Sequence, residues 1–188
     1  MKIVIVGCGR VGAVLAEAYD AAGHQVVILD LSTRAFDRLP SEFRGEAIRG
    51  DGTDEDTLRR AGAEDADIFL ALTEGDNRNV MAAQVAAENL GIERVVAKIN
   101  DPVRAAAYAE LGIATICRTT MLADAVSSFL GLAPSGVPSV VAATGRHHEA
   151  PPRGAGGSMA AGTAGGTAPA TAAAAGSIGA GTVAGREG

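Results

Sequence analysis

The sequence has no tryptophan and only two cysteines, Cys8 and Cys117, among its 188 residues. The two cysteines are far apart in the chain, so they give neither the short spacing of a zinc site nor a disulfide framework. We interpret both as small apolar side chains buried in a protein of a reducing compartment. We therefore expect no metal site.

An excess of positive charge is also missing. The chain carries 16 lysines and arginines against 22 aspartates and glutamates, a net charge of −6 at pH 7. A surface that binds nucleic acid is normally rich in basic residues, because it must neutralise many phosphates. We therefore expect no nucleic-acid partner, and any phosphate site must be local, built from backbone N–H groups and single side chains.

Long hydrophobic runs are absent too. No apolar segment approaches the roughly 18 residues that a transmembrane helix requires. The first apolar run, Met1–Val6, is too short for a signal peptide, and glycines follow it at once. The sequence therefore predicts a cytosolic protein, one that would serve a membrane only from outside the lipid.

Aromatic residues and leucines are absent from the last part of the chain. All six aromatic residues precede residue 133, and no leucine follows Leu132. The 56 residues from Ala133 to Gly188 include 16 alanines and 13 glycines, which bury little apolar area and, for glycine, lose much backbone entropy on folding. We predict one folded domain over residues 1–132 and a low-complexity, disordered Ala/Gly-rich tail over residues 133–188.

Short strands and helices alternate along residues 1–132. Continuous apolar runs rich in β-branched residues predict buried parallel strands, and each is followed by a segment with apolar residues at helical spacing. The predicted strands are Lys2–Val6, Gln25–Leu29, Ala47–Ile48, Ile68–Leu72, Arg94–Ile99 and Thr115–Cys117. Six such units predict the α/β class, with a Rossmann-like, doubly wound parallel sheet of six strands.

The turn after the first predicted strand has the pattern G-x-G-x-x-G. Its residues are Gly7, Cys8, Gly9, Arg10, Val11 and Gly12. In a dinucleotide site the first glycine permits a tight turn, the second lets phosphate oxygens approach the backbone, and the third lets the helix pack closely on the strand. Free N–H groups at the helix N-terminus then bind the phosphates. The alternative is a nucleotide-free doubly wound domain with a glycine-rich turn.

An acidic residue, Asp30, ends the second predicted strand, 18 residues after Gly12. At this place a carboxylate can accept hydrogen bonds from both hydroxyls of an adenosine ribose, and it would repel a 2′-phosphate. The sequence therefore favours NAD(H) or an adenosine nucleotide over NADP(H).

Four further polar residues are candidates for contacts to a ligand. Arg10 is either a solvated residue of the first helical turn or a contact to a terminal phosphate, which would distinguish ATP from ADP. Asp51 could approach the adenosine or cap the following helix, and Thr73 could donate a hydrogen bond to ribose or phosphate. Lys98, one of only two lysines, lies in an apolar strand, where it binds an anion, or is an edge residue, or has a buried stem with its ammonium reaching solvent.

The last predicted helix, Thr119–Leu130, has an apolar stripe that includes Phe129 and is wider than one core contact requires. This stripe either packs on the helix's own sheet or crosses to a neighbouring subunit. Periodicity does not separate the two alternatives.

Six segments of the chain form a recognisable set. They are MKIVIVGCGRVG, VVILD, RGDGTDEDTLRRAGAEDAD, LALTEGDNRNVMAAQVA, VVAKINDP and AYAELGI, and they span residues 1 to 118. Together they resemble the N-terminal nucleotide-binding domain of the Trk-type potassium-uptake regulators, the TrkA-N or RCK family. The third and fourth segments are far more specific than the glycine motif alone.

The resemblance implies a cytoplasmic Rossmann domain, peripheral at the inner face of the cell membrane, that binds NAD(H) or ATP/ADP. It also implies that this domain gates an integral-membrane potassium transporter subunit, and that it forms a homo-oligomer or pairs with a second RCK-type subunit. The ligand contacts carried over by position are Gly7, Cys8, Gly9, Arg10, Val11, Asp30, Asp51, Gly52, Thr73, Glu74 and Lys98.

Two features depart from the family pattern. Lys98 stands where the family often has arginine, so the charge is kept but the bidentate geometry of a guanidinium is lost. In addition, many members continue into a second ligand-sensing lobe, whereas here the Ala/Gly-rich tail occupies that position. The resemblance therefore does not extend to effectors of a second lobe.

The competing hypothesis is an NAD-dependent oxidoreductase module. A hydride-transfer enzyme needs a substrate site and a group that moves protons. The folded part has one histidine, His24, in a turn on the far side of the sheet from the crevice, and neither tyrosine has a lysine four positions on. We therefore expect a regulatory nucleotide sensor, with no catalytic residues.

Overall fold

A computed structural model of the chain describes residues 1–143, which form a seven-stranded sheet flanked by helices. The strands are β1 Lys2–Val6, β2 Gln25–Asp30, β3 Glu46–Arg49, β4 Ile68–Ala71, β5 Val95–Ile99, β6 Ala114–Cys117 and β7 Val140–Val141. Their order is β3-β2-β1-β4-β5-β6-β7, and the pairs from β3 to β6 are all parallel. The predicted α/β, Rossmann-like class is confirmed.

A helical segment follows each of the six parallel strands. The α-helices are α1 Arg10–Ala21, α2 Glu55–Arg60, α3 Asp76–Gln84, α4 Pro102–Glu110 and α5 Arg118–Phe129; 3₁₀ helices lie at Thr33–Arg38 and Ala63–Asp65, and the π-helical segment Val85–Asn89 continues α3. Within residues 1–143, no helix combines the length and the apolar character that crossing a membrane would need.

Local sequence explains where two of these helices begin. The carboxylate of Asp54 accepts the N–H of Thr57 at 2.9 Å and so caps α2. Asp101 does the same for Val103 at 2.9 Å, at the start of α4, and Pro102 follows it in the first turn, where proline needs no hydrogen-bond partner. Such caps satisfy N–H groups that would otherwise lack acceptors, and they fix the ends of the helices.

Strand β1 lies in the middle of the sheet, and its side chains divide the core in two. Ile3 and Ile5 belong to a cluster that includes residues of α1, whereas Val4 and Val6 belong to a larger cluster with residues of α2, α3 and α4. All four side chains are at most 2% exposed. Helices therefore cover both faces of the sheet, as expected of a parallel sheet.

The chain reverses direction across the sheet at β1. From β1 it proceeds to β2 and β3 on one side, and then returns to β4, β5 and β6 on the other side. In open α/β sheets such a reversal leaves a crevice beyond the carboxyl ends of the strands, and ligands bind there. The loops after β1 and β4 lie on either side of this crevice.

One strand departs from the predicted six-stranded parallel sheet. Val140 and Val141 form β7, which pairs antiparallel with Ile116 and Thr115 of β6. A two-residue strand gives no periodicity signal, and these valines lie in a segment rich in alanine, glycine and proline. They add a short strand to an otherwise open sheet edge, beyond residue 132. Residues 144–188, which hold most of the predicted disordered tail, lie outside the described part.

Candidate functional site

The glycine loop between β1 and α1 is shaped by two positions where a side chain would not fit. Gly7 has φ +107°, and a Cβ there would lie 2.8 Å from the backbone nitrogen of Thr73. A Cβ at Gly12 would lie 2.0 Å from the carbonyl oxygen of Gly7. The tight turn and the close helix–strand approach predicted from the sequence are therefore both present.

Gly9 differs from these two glycines, because a Cβ built there meets no atom of residues 1–143 within 4 Å. It is the N-cap residue of α1, and no side chain of residues 1–143 accepts a hydrogen bond from the N–H groups of the first helical turn. Those N–H groups and the positive end of the helix are available to a phosphate. The open space at Gly9 thus allows phosphate oxygens to approach the backbone, as predicted for this glycine.

Asp30 connects the glycine loop to the end of β2. Its Oδ2 accepts the backbone N–H of Cys8 at 2.8 Å, and its Oδ1 accepts the N–H of Ser32 at 2.9 Å. Each carboxylate oxygen can accept more than one hydrogen bond. Asp30 therefore retains the capacity to bind ribose hydroxyls while it holds two loops in place.

The candidate site is a cavity of about 370 Å³ at the carboxyl ends of β1, β2, β3 and β4. Eight of the twelve predicted site residues line it, namely Gly7, Cys8, Gly9, Asp30, Asp51, Gly52, Thr73 and Glu74. Four separate stretches of the sequence therefore converge on one cavity, at the point where the strand order reverses.

The other four predicted residues do not line this cavity: Arg10, Val11, Gly12 and Lys98. Arg10 and Val11 are exposed residues in the first turn of α1. Gly12 lies beneath the loop, against Gly7, where it acts through packing. Position in the glycine motif therefore predicts the shape of the loop better than it predicts the lining of the cavity.

Lys98 is buried in β5, with 7% of its surface exposed. Its ammonium makes no hydrogen bond or ion pair within residues 1–143. Burial lowers the pKa of Lys98 below the ordinary value for lysine, because it disfavours the charged form; the nearby Glu74 carboxylate opposes this effect. The edge-residue alternative for Lys98 is wrong, since β5 has strands on both sides.

Asp51 lines the cavity and also organises its own loop. Its Oδ1 accepts the backbone N–H of Thr53 at 3.0 Å and the hydroxyl of Thr53 at 2.8 Å. These hydrogen bonds stabilise the carboxylate and lower the pKa of Asp51. The helix-capping alternative for Asp51 is wrong, because Asp54 caps α2.

The thiol of Cys8 is fully buried beside the cavity and donates a hydrogen bond to the carbonyl oxygen of Ala35 at 3.3 Å. Burial is the main cause that raises the pKa of Cys8 to about 11. The thiol is therefore neutral and unreactive near pH 7. Within residues 1–143, no three His, Cys, Asp or Glu side chains are placed to hold a metal ion.

Sequence reasoning missed three arginines that line the cavity. Arg34 and Arg38 lie on the 3₁₀ helix after β2, and Arg78 lies in α3. The positive charge of Arg78 contributes to the lowered pKa of Asp51. Arg34 and Arg38 both lie in the segment that directly follows the strand end at Asp30, and this proximity to the predicted crevice could have indicated them.

Sequence reasoning also missed Asn79, which forms hydrogen bonds to the backbone at the carboxyl ends of β4 and β5. It is fully buried in α3. Its Oδ1 accepts the backbone N–H and the hydroxyl of Thr73, both at 2.7 Å, and its Nδ2 donates to the carbonyl oxygens of Thr73 at 3.0 Å and Lys98 at 2.8 Å. One side chain therefore joins the ends of β4 and β5 to α3.

We expect Asn79→Ala to lower the free energy of unfolding by about 3 kcal/mol, because it leaves several buried polar groups without partners. Thermal unfolding monitored by circular dichroism measures this change. The matched control is Asn77→Ala in the same helix, an exposed residue whose amide oxygen accepts a hydrogen bond from Arg104, and it should cost less than about 0.5 kcal/mol. Equal melting temperatures for the two variants would contradict this role of Asn79.

Comparison with known proteins places these features in a family. The TrkA-N domain model matches residues 3–119. A curated relative, the Trk system potassium uptake protein TrkA of Streptomyces coelicolor, is 49% identical over 124 residues, which are 66% of this chain and 56% of the relative. The chain thus spans about half the length of that relative.

Two solved structures are similar in fold. The TrkA-N domain of the inner membrane protein ybaL from Escherichia coli has a TM-score of 0.60 at 23% identity, over 69% of this chain and 96% of that one. The AMP-bound Kef C-terminal domain of Shewanella denitrificans has a TM-score of 0.56 at 25% identity, over 70% of this chain and 82% of that one. Since the family model covers more than half of its 188 residues, the chain belongs to the TrkA-N domain family.

Proposed function

We propose that the chain is a regulatory subunit of a potassium-uptake system and that NAD(H), ATP or ADP binds in the cavity at the carboxyl ends of β1 to β4. The observation that carries this proposal is the convergence of the glycine loop, Asp30, Asp51 and Thr73 on one cavity of about 370 Å³. The AMP in the Kef neighbour, at 25% identity, supports an adenine nucleotide as the ligand.

The geometry suggests an orientation for the nucleotide. Asp30 would accept the ribose hydroxyls, because it is the carboxylate at the end of β2. The phosphates would lie over Gly9, where the N–H groups of α1 are uncapped and no atom blocks the approach. The loops that follow four strands would then contact one ligand. Binding would favour the conformation of the domain in which these loops fit the nucleotide best.

The proposed partner is an integral-membrane potassium transporter subunit, and the proposed location is the cytoplasmic face of the cell membrane. The support is the curated relative, which is named a Trk system potassium uptake protein. A nucleotide could change transport through this partner only if the two arrangements of the domain differ in their contacts with it.

We also propose that the chain self-associates through α5. Thr120 is the sole buried residue of this 12-residue helix. Leu122, Val126 and Phe129 are 65%, 51% and 90% exposed, although their burial would each contribute about 1.5–3 kcal/mol. A second TrkA-N subunit could cover this surface equally well, because the pairing needs only a complementary apolar face.

An oxidoreductase function receives no support from the cavity. No histidine, lysine or tyrosine is among the described residues that line it. His24 instead contacts Tyr19, with ring centroids 6.3 Å apart, before the start of β2 and therefore at the opposite edge of the sheet. The relative is named for potassium uptake rather than for a catalysed reaction.

Isothermal titration of the full chain with AMP, ADP, ATP, NAD⁺ and NADH tests the proposal. We expect at least one of them to bind, and Asp30→Ala to weaken that binding by about 1–3 kcal/mol, the range for a lost hydrogen bond to a charged group. Asp37→Ala is the matched control, since Asp37 is exposed, lies on the adjacent 3₁₀ helix and does not line the cavity. Unchanged affinity in a folded Asp30→Ala variant would disprove the assignment of the crevice.

A further inference from the structure

Two arginines line the same cavity as the carboxylate that is expected to bind the ribose. Arg34 and Arg38 line the cavity on the same side as Asp30, from the 3₁₀ helix that follows β2. Arg34 makes no hydrogen bond or ion pair with the part of the chain that the structure describes. Arg38 makes one, to the carbonyl oxygen of Ala35 at 3.3 Å. A guanidinium has five N–H donors, so most donors of this pair are free.

The negative charge of Asp30 is balanced within the cavity. Two backbone N–H groups donate to the two oxygens of Asp30, which offsets part of its negative charge. Three arginines, Arg34, Arg38 and Arg78, line the cavity together with three carboxylates, Asp30, Asp51 and Glu74. In dinucleotide-binding domains an acid at this place binds the 2′-hydroxyl of NAD, whereas a nearby arginine accommodates the 2′-phosphate of NADP. The repulsion of a 2′-phosphate, expected when Asp30 is considered alone, is therefore offset.

We propose, on the basis of the proposed nucleotide site, that the ribose edge of the cavity binds a phosphomonoester carried by the adenosine ribose. Arg34 and Arg38 determine this specificity. The 2′-phosphate of NADP(H) has this chemistry, and so has the 3′-phosphate of other adenosine cofactors. Guanidinium groups suit such a ligand, because their planar donors bind phosphate oxygens in a bidentate manner. The site would then accept nucleotides beyond NAD(H), ATP and ADP.

Titration of the full chain with AMP, 2′,5′-ADP and 3′,5′-ADP tests this specificity, and the last two ligands separate the two positions of the phosphate. We expect at least one ribose-phosphorylated ligand to bind ten-fold or more tightly than AMP, about 1.4 kcal/mol. Arg34→Ala and Arg38→Ala should each reduce that ratio at least three-fold. Arg94→Ala is the control, because Arg94 is exposed before the start of β5, at the opposite edge of the sheet.

The outcomes separate this inference from the proposed function. If AMP binds and both ribose-phosphorylated ligands bind more weakly than AMP, the inference is overturned and the nucleotide site stands. A ratio that stays unchanged in both arginine variants would also overturn it. If none of the three ligands binds while NAD(H), ATP or ADP does, the inference alone is overturned. If none of these nucleotides binds, the proposed function and the inference are overturned together.

Discussion

Gly9→Val is expected to weaken the binding of adenine nucleotides at least about 100-fold, or 2.7 kcal/mol, while the domain stays folded. A Cβ at Gly9 meets no atom within 4 Å in the described part of the chain, so the valine side chain would occupy the open space that the phosphates need. The backbone at Gly9 has φ −78° and ψ −173°, which valine adopts without strain. Titration with the tightest-binding nucleotide, together with circular dichroism, measures both effects.

Gly75→Val is a close control for this variant. Gly75 is also the N-cap of a helix, α3, and a Cβ there also meets nothing within 4 Å. It does not line the cavity. We expect Gly75→Val to bind the nucleotide within about three-fold of the wild type, less than 1 kcal/mol. If folded Gly9→Val bound as tightly as Gly75→Val, the phosphates could not lie over the glycine loop.

Phe129→Asp is expected to convert a self-associating protein into a folded monomer. Phe129 is 90% exposed on α5, so the alternative that this helix is used fully in its own core is wrong. A charge at this position costs the single subunit little, but it would be costly within an apolar interface between subunits. Size-exclusion chromatography with light scattering at tens of micromolar measures the mass, and circular dichroism reports the fold.

Val103→Asp is the control for this change, because Val103 is 79% exposed but lies on α4. We expect the Val103→Asp variant to retain the mass of the wild type. A wild-type chain that is monomeric at tens of micromolar would disprove the proposal of self-association through α5. An undiminished mass for Phe129→Asp would show that the contact lies elsewhere.

The sequence predicted the sheet well, because its signals are local. The four residues after Lys2 in β1, Ile3 to Val6, are all apolar, and they are covered on both faces of the sheet. Glycine at position 7 and at position 12 predicted a tight turn and a close approach, and both depend on the absence of a side chain. In contrast, β7 has only two residues, and it forms because the edge of β6 lies nearby in space, which no local pattern indicates.

The sequence predicted the residues at strand ends but not those that act on the site from a neighbouring helix. Residues at the ends of strands, such as Asp30 and Thr73, were found because all parallel strands end at the same edge. Arg38 was missed because a long side chain reaches the cavity from a neighbouring helix. Asn79 was missed because its structural role depends on hydrogen bonds to Thr73 and Lys98, and Lys98 is 19 residues away in the chain.

Amide chemical shifts of the ¹⁵N-labelled full chain, recorded during titration with ADP, test most directly whether the crevice binds an adenine nucleotide. We expect saturable shifts that are largest for the amides of Gly9, Asp30 and Asp51, which line one cavity although they are distant in sequence. Amides at the opposite edge of the sheet, such as those of Asp67 and Arg94, should not move. An unchanged spectrum, or shifts confined to that opposite edge, would contradict the account.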